Sequence, residues 1–149
     1  MSRDSVLYLK CRQFASRICR LHDFLQQKKG ERIISAQIVR SGTSIGANVA
    51  EALYASSRRD FINKLTISMK ECSETLYWLD ILNDNGYFDS DKTRSILVDC
   101  EEILKMLVSS VNKLKSVSSY EVREDLENPP FSNPLNPDAP EVPYDNPQC

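Results

Sequence analysis

No proline occurs in the first 128 residues of this 149-residue chain, and all seven fall between Pro129 and Pro147. Proline removes a backbone donor and clashes with the preceding helical turn, so its absence over such a stretch leaves helices free to run. The same stretch is rich in Leu, Ile, Ser, Lys and Glu and holds all four glycines, Gly30, Gly42, Gly46 and Gly86. An all-α body of one domain is expected, followed by a tail of different composition.

Apolar spacing divides that body into four helices. From about Ser5 to Lys29, the residues Leu7, Cys11, Phe14, Ile18, Leu21 and Leu25 alternate steps of four and three, a heptad-like seam. Lys28 and Lys29 suit the negative end of the helix dipole, and Gly30 is a natural stop. A second helix, starting at Arg32 or Ser35 and ending near Ala55, carries Ile34, Ile38, Ile45, Val49 and Leu53. Ser57 and Asp60 have the spacing of a capping box, with a third helix from Arg58 to about Asn83. Its stripe is Phe61, Leu65, Cys72, Leu76, Leu79 and Leu82. After the break at Asp84-Asn85-Gly86, a fourth helix runs from Ser90 to about Val117 through Leu97, Cys100, Leu104, Leu107, Val111 and Leu114.

Long helices joined by short loops give an antiparallel up-and-down four-helix bundle over residues 1–120. Residues 121–149 lack periodicity and read as a disordered, acidic, proline-rich tail. Within it Pro134, Pro137, Pro140 and Pro143 recur every third residue, the period of a polyproline II helix. Two readings stand there, a docking strip for an aromatic groove and a stiff solvated end.

The segment Arg40–Ala52 is the most distinctive part of the body. Helical spacing sets Arg40, Ser44, Ala47 and Glu51 near one line. Gly42 and Gly46 form a small-xxx-small pair, which costs helix propensity of about 1 kcal/mol per glycine relative to alanine and admits another backbone closely. Arg40, Gly42, Ser44, Gly46, Asn48 and Glu51 are therefore candidates for assembly or close helix packing, with Arg40, Asn48 and Glu51 fixing register by buried hydrogen bonds. Tyr8, Tyr54, Tyr77 and Trp78, with Ile62, Ile67 and Met69, fall partly outside the assigned seams. They mark either a second buried face between subunits or a seam placed a residue or two off.

Arg40, Ser44-Ile45, Asn48 and Ala50-Glu51, followed by Arg58 and Phe61, resemble the 23S ribosomal RNA intervening sequence proteins, small bacterial four-helix bundles. The resemblance covers about residues 5 to 117. Gly46 stands where many members carry proline and Ala52 where many carry glycine. The likeness implies a bundle fold and a ring-forming homo-oligomer, commonly a pentamer, and points to no particular reaction.

Charge adds a direction. Residues 1–123 hold all 19 Lys and Arg against 15 of the 21 Asp and Glu, net +4, while the remaining 26 residues carry six acids and no base. A mildly basic body suits a polyanion, and an acidic tail can compete for the same surface or simply aid solubility. The candidate nucleic-acid contacts are Lys10, Arg17, Lys28 and Lys29 on the first helix and Arg58, Arg59 and Lys64 on the third. No aromatic-basic interleaving of the kind that reads single strands accompanies them.

Converging catalytic groups are scarce. His22 is the one histidine, which excludes a di-iron bundle built on two Glu-x-x-His pairs. Cys and His do not occur at zinc-ligand spacings. No Gly-Lys-Ser/Thr follows Gly46, so the glycine pair is no phosphate loop. Glu51, Glu71 and Glu74 read as a solvated or ion-paired face. No enzyme, cofactor or metal site is expected. Cys11, Cys19, Cys72, Cys100 and Cys149 lack a C-x-x-C pair and suit reduced thiols in a cytoplasm. Neither a signal core nor a membrane span is expected. Two functions follow: an RNA or ribonucleoprotein-associated oligomer, or an adaptor oligomer for a protein partner without a nucleic-acid role.

Overall fold

Ser5 accepts the Tyr8 N–H at 3.3 Å and starts α1 (Val6–Phe24). A π-helical turn, Leu25–Lys29, finishes that helix, and Gly30 ends it at φ 67°, a left-handed conformation glycine adopts without a Cβ penalty. The remaining helices are α2 (Ile33–Ala52), α3 (Arg58–Asp84) and α4 (Asp91–Glu127). This computed structural model describes residues 1–88 and 91–127, with side chains of α4 from Arg94 to Ser116 and of Asp91. The chain divides into two units, Met1–Ser116 and Val117–Cys149, of which the first is the bundle.

Glu31 sets the start of α2, which spacing alone leaves open by several residues. Its carboxylate accepts from the backbone N–H groups of Ile33 (2.9 Å), Ile34 (2.7 Å) and Ser35 (2.7 Å). Three otherwise orphaned donors and the positive helix end are satisfied by one buried acid, a contribution of about 1–2 kcal/mol. At α3, Ser57 Oγ accepts the Asp60 N–H at 3.1 Å as its spacing predicts. The return contact differs, because Asp60 Oδ2 accepts from Ser56 N at 3.1 Å.

Cross-helix contacts fix an antiparallel order around the bundle. His22 meets Ser35 and Arg3 meets Tyr54 between α1 and its flanks and α2. Ser68 meets Ile45 and Lys64 meets Glu51 between α2 and α3. Cys72 meets Cys100 and Arg58 meets Leu114 between α3 and α4. Lys10 meets Glu102 and Arg17 meets Ser95 between α1 and α4. In each pair the numbers rise on one helix as they fall on the other.

The α1 seam is buried at every expected position from Leu7 to Leu25. On α4 the buried line is Ile96, Cys100, Ile103, Leu107 and Val111, so Leu97, Leu104 and Leu114 are only partly covered. On α2 and α3 several core positions are small or hydroxylic: Ser35, Ser41, Gly42 and Ala52, and Ser68 and Thr75. Ile34 and Leu53, expected on that seam, lie at its edge. The reason is proximity. Ser68 Oγ donates to Ile45 O at 2.9 Å across the seam, and Thr75 Oγ1 lies 2.9 Å from Ser41 Oγ, distances that larger residues would prevent.

α4 continues to Glu127 rather than stopping near Val117. Residues 118–127 contain neither glycine nor proline, whereas Asn128 precedes Pro129 and is biased away from helical backbone. The first seven residues assigned to the tail are thus helical, and the expected disorder and proline periodicity of 128–149 lie outside the described residues.

Gly42 and Gly46 both face α1. A Cβ on Gly42 would lie 3.0 Å from two carbons of the fully buried Ile18, whereas one on Gly46 would lie 3.5 Å from Cys11 O, an ordinary contact. Gly42→Ala is expected to lose about 1 kcal/mol, overpacking exceeding the helix-propensity gain. Gly46→Ala should instead gain about 0.5–1 kcal/mol. Urea denaturation of the two variants should move the midpoint in opposite directions; a rise for Gly42→Ala would remove the tight approach.

Candidate nucleic-acid interface

The outward line of α2 is polar. Arg40 is exposed and reaches α3, where its guanidinium pairs with Glu74 and lies 3.8 Å from Glu71 Oε2. Trp78 Nε1 donates to the same Glu74 oxygen at 3.3 Å. Glu71 Oε2 is buried and accepts no hydrogen bond, so the Arg40 charge is what offsets its desolvation. Glu51 is exposed and pairs with Lys64 at 2.5 Å, which raises the Lys64 pKa through that hydrogen bond and the carboxylate charge. Ser44 Oγ donates to Arg40 O at 2.8 Å, and Asn48 Nδ2 donates to Ser44 O at 2.9 Å, both within α2. Arg40 thus reaches carboxylates of the adjacent helix, as its expected register role asks, but from an exposed position; Glu51 pairs at the same exposed edge, and Asn48 bonds the backbone of its own helix. Arg40 and Glu51 lie opposite the helix face that carries Ile38, Ile45 and Val49, with Asn48 on its flank.

The seven candidate cations do not converge. Lys10 pairs with Glu102 at 2.8 Å, Arg17 with Asp99, and Lys64 with Glu51, so three are matched within the bundle. Lys28 and Lys29 end α1, with Lys29 Nζ 6.0 Å from the Phe24 ring centroid. Arg58 and Arg59 open α3 at the other end of the bundle. The 20 residues of α2 separate these two groups by ~30 Å at 1.5 Å per residue.

One place does gather basic and polar groups from two helices. A groove of about 580 Å³ is lined by Ser57, Arg59, Asp60, Ile62, Asn63 and Thr66 of the α3 start and by Lys115 of α4. Arg58 donates to Leu114 O at 3.4 Å and brings the two elements together. Arg59 and Lys115 have no ion-pair partner among the described residues. Asp60, the one acid there, already accepts from Ser56 N. Lys115 is not among the expected contacts, although the antiparallel order of α3 and α4 places it beside Arg59. That order was the available signal.

The histidine and three of the cysteines are held within the bundle, while Cys19 is exposed on α1. His22 Nδ1 is 3.1 Å from Ser35 O and so carries the proton, leaving Nε2 to accept from Gln26 at 3.1 Å. Burial, and then neighbouring Cys72, push the Cys11 thiol up to about 12. A hydrogen bond with Cys72 and burial raise Cys100 as well. Among the described residues no set of three His, Cys, Asp or Glu is placed to hold a metal ion, and no helix is long and apolar enough to cross a membrane.

A family model described as 23S rRNA-intervening sequence protein matches residues 3–109. A crystal structure of an S23 ribosomal protein family member from Bacteroides thetaiotaomicron superposes with a TM-score of 0.69 at 48% sequence identity, covering 71% of this chain and 98% of that one. A 65-residue stretch is 31% identical to imidazolonepropionase of Mycolicibacterium smegmatis, covering 43% of this chain. The chain spans 16% of that enzyme's length.

Arg40→Ala is expected to destabilise the protein by about 1–2 kcal/mol, since it leaves Glu71 Oε2 buried beside no cation. Glu51→Ala, at an exposed pair, should cost no more than about 0.5 kcal/mol. Thermal melts of both variants test the difference, and equal shifts would count against it.

Proposed function

Because the chain belongs to the 23S rRNA-intervening sequence protein family, we propose that it is a non-catalytic bundle that holds RNA phosphates in the groove between α3 and α4. The observation that carries this reading is the meeting of Arg59 and Lys115, cations from different helices without carboxylate partners among the described residues, beside the Asn63 amide and the Ser57 and Thr66 hydroxyls. Such a set presents charge and donors to a phosphodiester without reading a base edge, so its affinity rests on backbone contacts and salt. The occupied state of His22 and the protonated thiols support a binding role over a catalytic one.

Labelled structured RNA titrated at low and moderate salt tests this. The double variant Arg59→Ala/Lys115→Ala should bind more weakly and reduce the slope of log affinity against log salt by about 2, close to one for each phosphate no longer neutralised. Lys28→Ala, at the opposite end, should leave the slope unchanged. Unaltered binding by the double variant would sink the groove as the place where RNA is held.

A second reading, an oligomeric adaptor for a protein partner, draws on exposed apolar side chains: Ile33 is 80% exposed, Tyr54 74% and Tyr77 56%. Of the other residues expected on a second buried face, Tyr8, Trp78, Ile62, Ile67 and Met69 are partly covered within the bundle. The readings are compatible, since a ring would repeat the groove once per subunit. Light scattering should give a mass near five times the 17.0 kDa chain if the pentamer forms. A monomer mass at micromolar concentration would remove the ring.

A further inference from the structure

The bundle interior holds two thiols in contact on different helices. Cys72 of α3 and Cys100 of α4 are both fully buried, with their sulfurs 3.8 Å apart. Each also approaches the other's backbone, Cys72 Sγ at 3.4 Å from Cys100 O and Cys100 Sγ at 3.6 Å from Cys72 O. This reciprocity means that the two helix backbones, as well as the side-chain tips, come close at this level. A disulfide sulfur–sulfur bond is about 2.05 Å, so closing the pair asks for less than about 2 Å of sulfur movement. Cys11 is also buried but packs beside Gly46 of α2, and Cys19 is exposed on α1.

We infer that Cys72 and Cys100 are a thiol oxidation site, at which a peroxide joins α3 to α4 through an intrachain disulfide. One thiol is oxidised to a sulfenic acid as hydrogen peroxide is reduced and one water leaves. The second thiol then displaces hydroxide from that sulfur, its proton leaving with the hydroxide as a second water. Two thiols and one peroxide thus give one disulfide and two waters.

Peroxide suits the site because it is small. Bulkier disulfide oxidants need an exposed sulfur, which neither residue offers. Burial and the mutual hydrogen bond hold the Cys100 thiol protonated in the closed bundle, and the thiolate is the reactive form. Oxidation therefore proceeds through openings of the α3–α4 seam, and the bond, once made, opposes further opening. The pair acts as a latch that records how often the seam opens under oxidant, and dithiol reagents reverse it once the chain is unfolded.

The test treats the intact native protein with hydrogen peroxide, removes the excess with catalase, alkylates free thiols in denaturant and digests with trypsin. The expected product is peptide 71–92 joined to peptide 95–105, 2 Da lighter than their sum, and absent after reduction. The oxidised protein should melt about 10 °C higher, as expected for a cross-link closing a loop of this size in a small domain. Cys72→Ala and Cys100→Ala should each lose that shift while remaining helical by circular dichroism. Linkage of Cys11 to either residue, or both thiols recovered alkylated while Cys19 or Cys149 is oxidised, would overturn the assignment. The wild-type peptide map decides the matter even if a variant fails to fold.

Discussion

The close approach of α2 to both neighbours is the constraint on which the rest of the bundle rests. On one side Gly42 lies against Ile18, where an added Cβ would be at 3.0 Å. On the other, Ser41 and Ile45 meet Thr75 and Ser68 through hydroxyl contacts of 2.9 Å. A wall this thin needs small side chains, and small side chains bury little apolar area. The compensation lies in the flanking layers, where Phe14, Ile18, Leu65 and Leu107 are each at most 1% exposed. Buried hydroxyls cost about 1–3 kcal/mol when unsatisfied, and here each has an acceptor in its own helix or across the seam. Hydroxyls can therefore replace methyls at the contact without leaving an unmet polar group.

Ion pairs line the edges of those seams. Lys10–Glu102 and Arg17–Asp99 join α1 to α4, and Arg40–Glu74 and Lys64–Glu51 join α2 to α3. Exposed pairs of this kind contribute at most about 1 kcal/mol each. Their larger consequence is to cancel charge along the flanks. Lys28 and Lys29 lie at one end of the bundle and Arg58 and Arg59 at the other, so these four do not add to one surface.

The parts of this arrangement legible in the sequence are those set by local periodicity and caps. The α1 seam from Leu7 to Leu25, the Ser57 cap and the Gly30 stop depend on residues within one or two turns of each other. The α4 seam was offset by one position at Ile96 and Ile103, because adjacent apolar pairs such as Ile96-Leu97 and Ile103-Leu104 fit either phase until a neighbouring helix chooses. Glu31 was not legible as a cap, since a glutamate before a helix more often faces water than folds back onto three amide groups. The cation assignments were least legible. Whether Arg17 or Lys64 is free depends on Asp99 and Glu51, which are distant in sequence or on another helix. The small residues of α2 mark a face that another helix can approach, but spacing does not say that its glycines meet α1 of the same chain.

A chain with net charge −2 can still present a locally positive groove, because screening limits how far the remaining charges are felt. The Debye length is about 8 Å at physiological ionic strength, well short of the ~30 Å that α2 spans. Acids at the far end of the bundle therefore contribute little at Arg59 and Lys115. Nearby, Glu51 is neutralised by Lys64 and Asp60 is engaged by Ser56. α1 and α3 begin at this end while α2 ends there, so the partial charges of the antiparallel helices largely offset one another. The antiparallel order that packs the seams thus brings Arg59 and Lys115 together, and the field of the groove rests on those two cations rather than on helix ends.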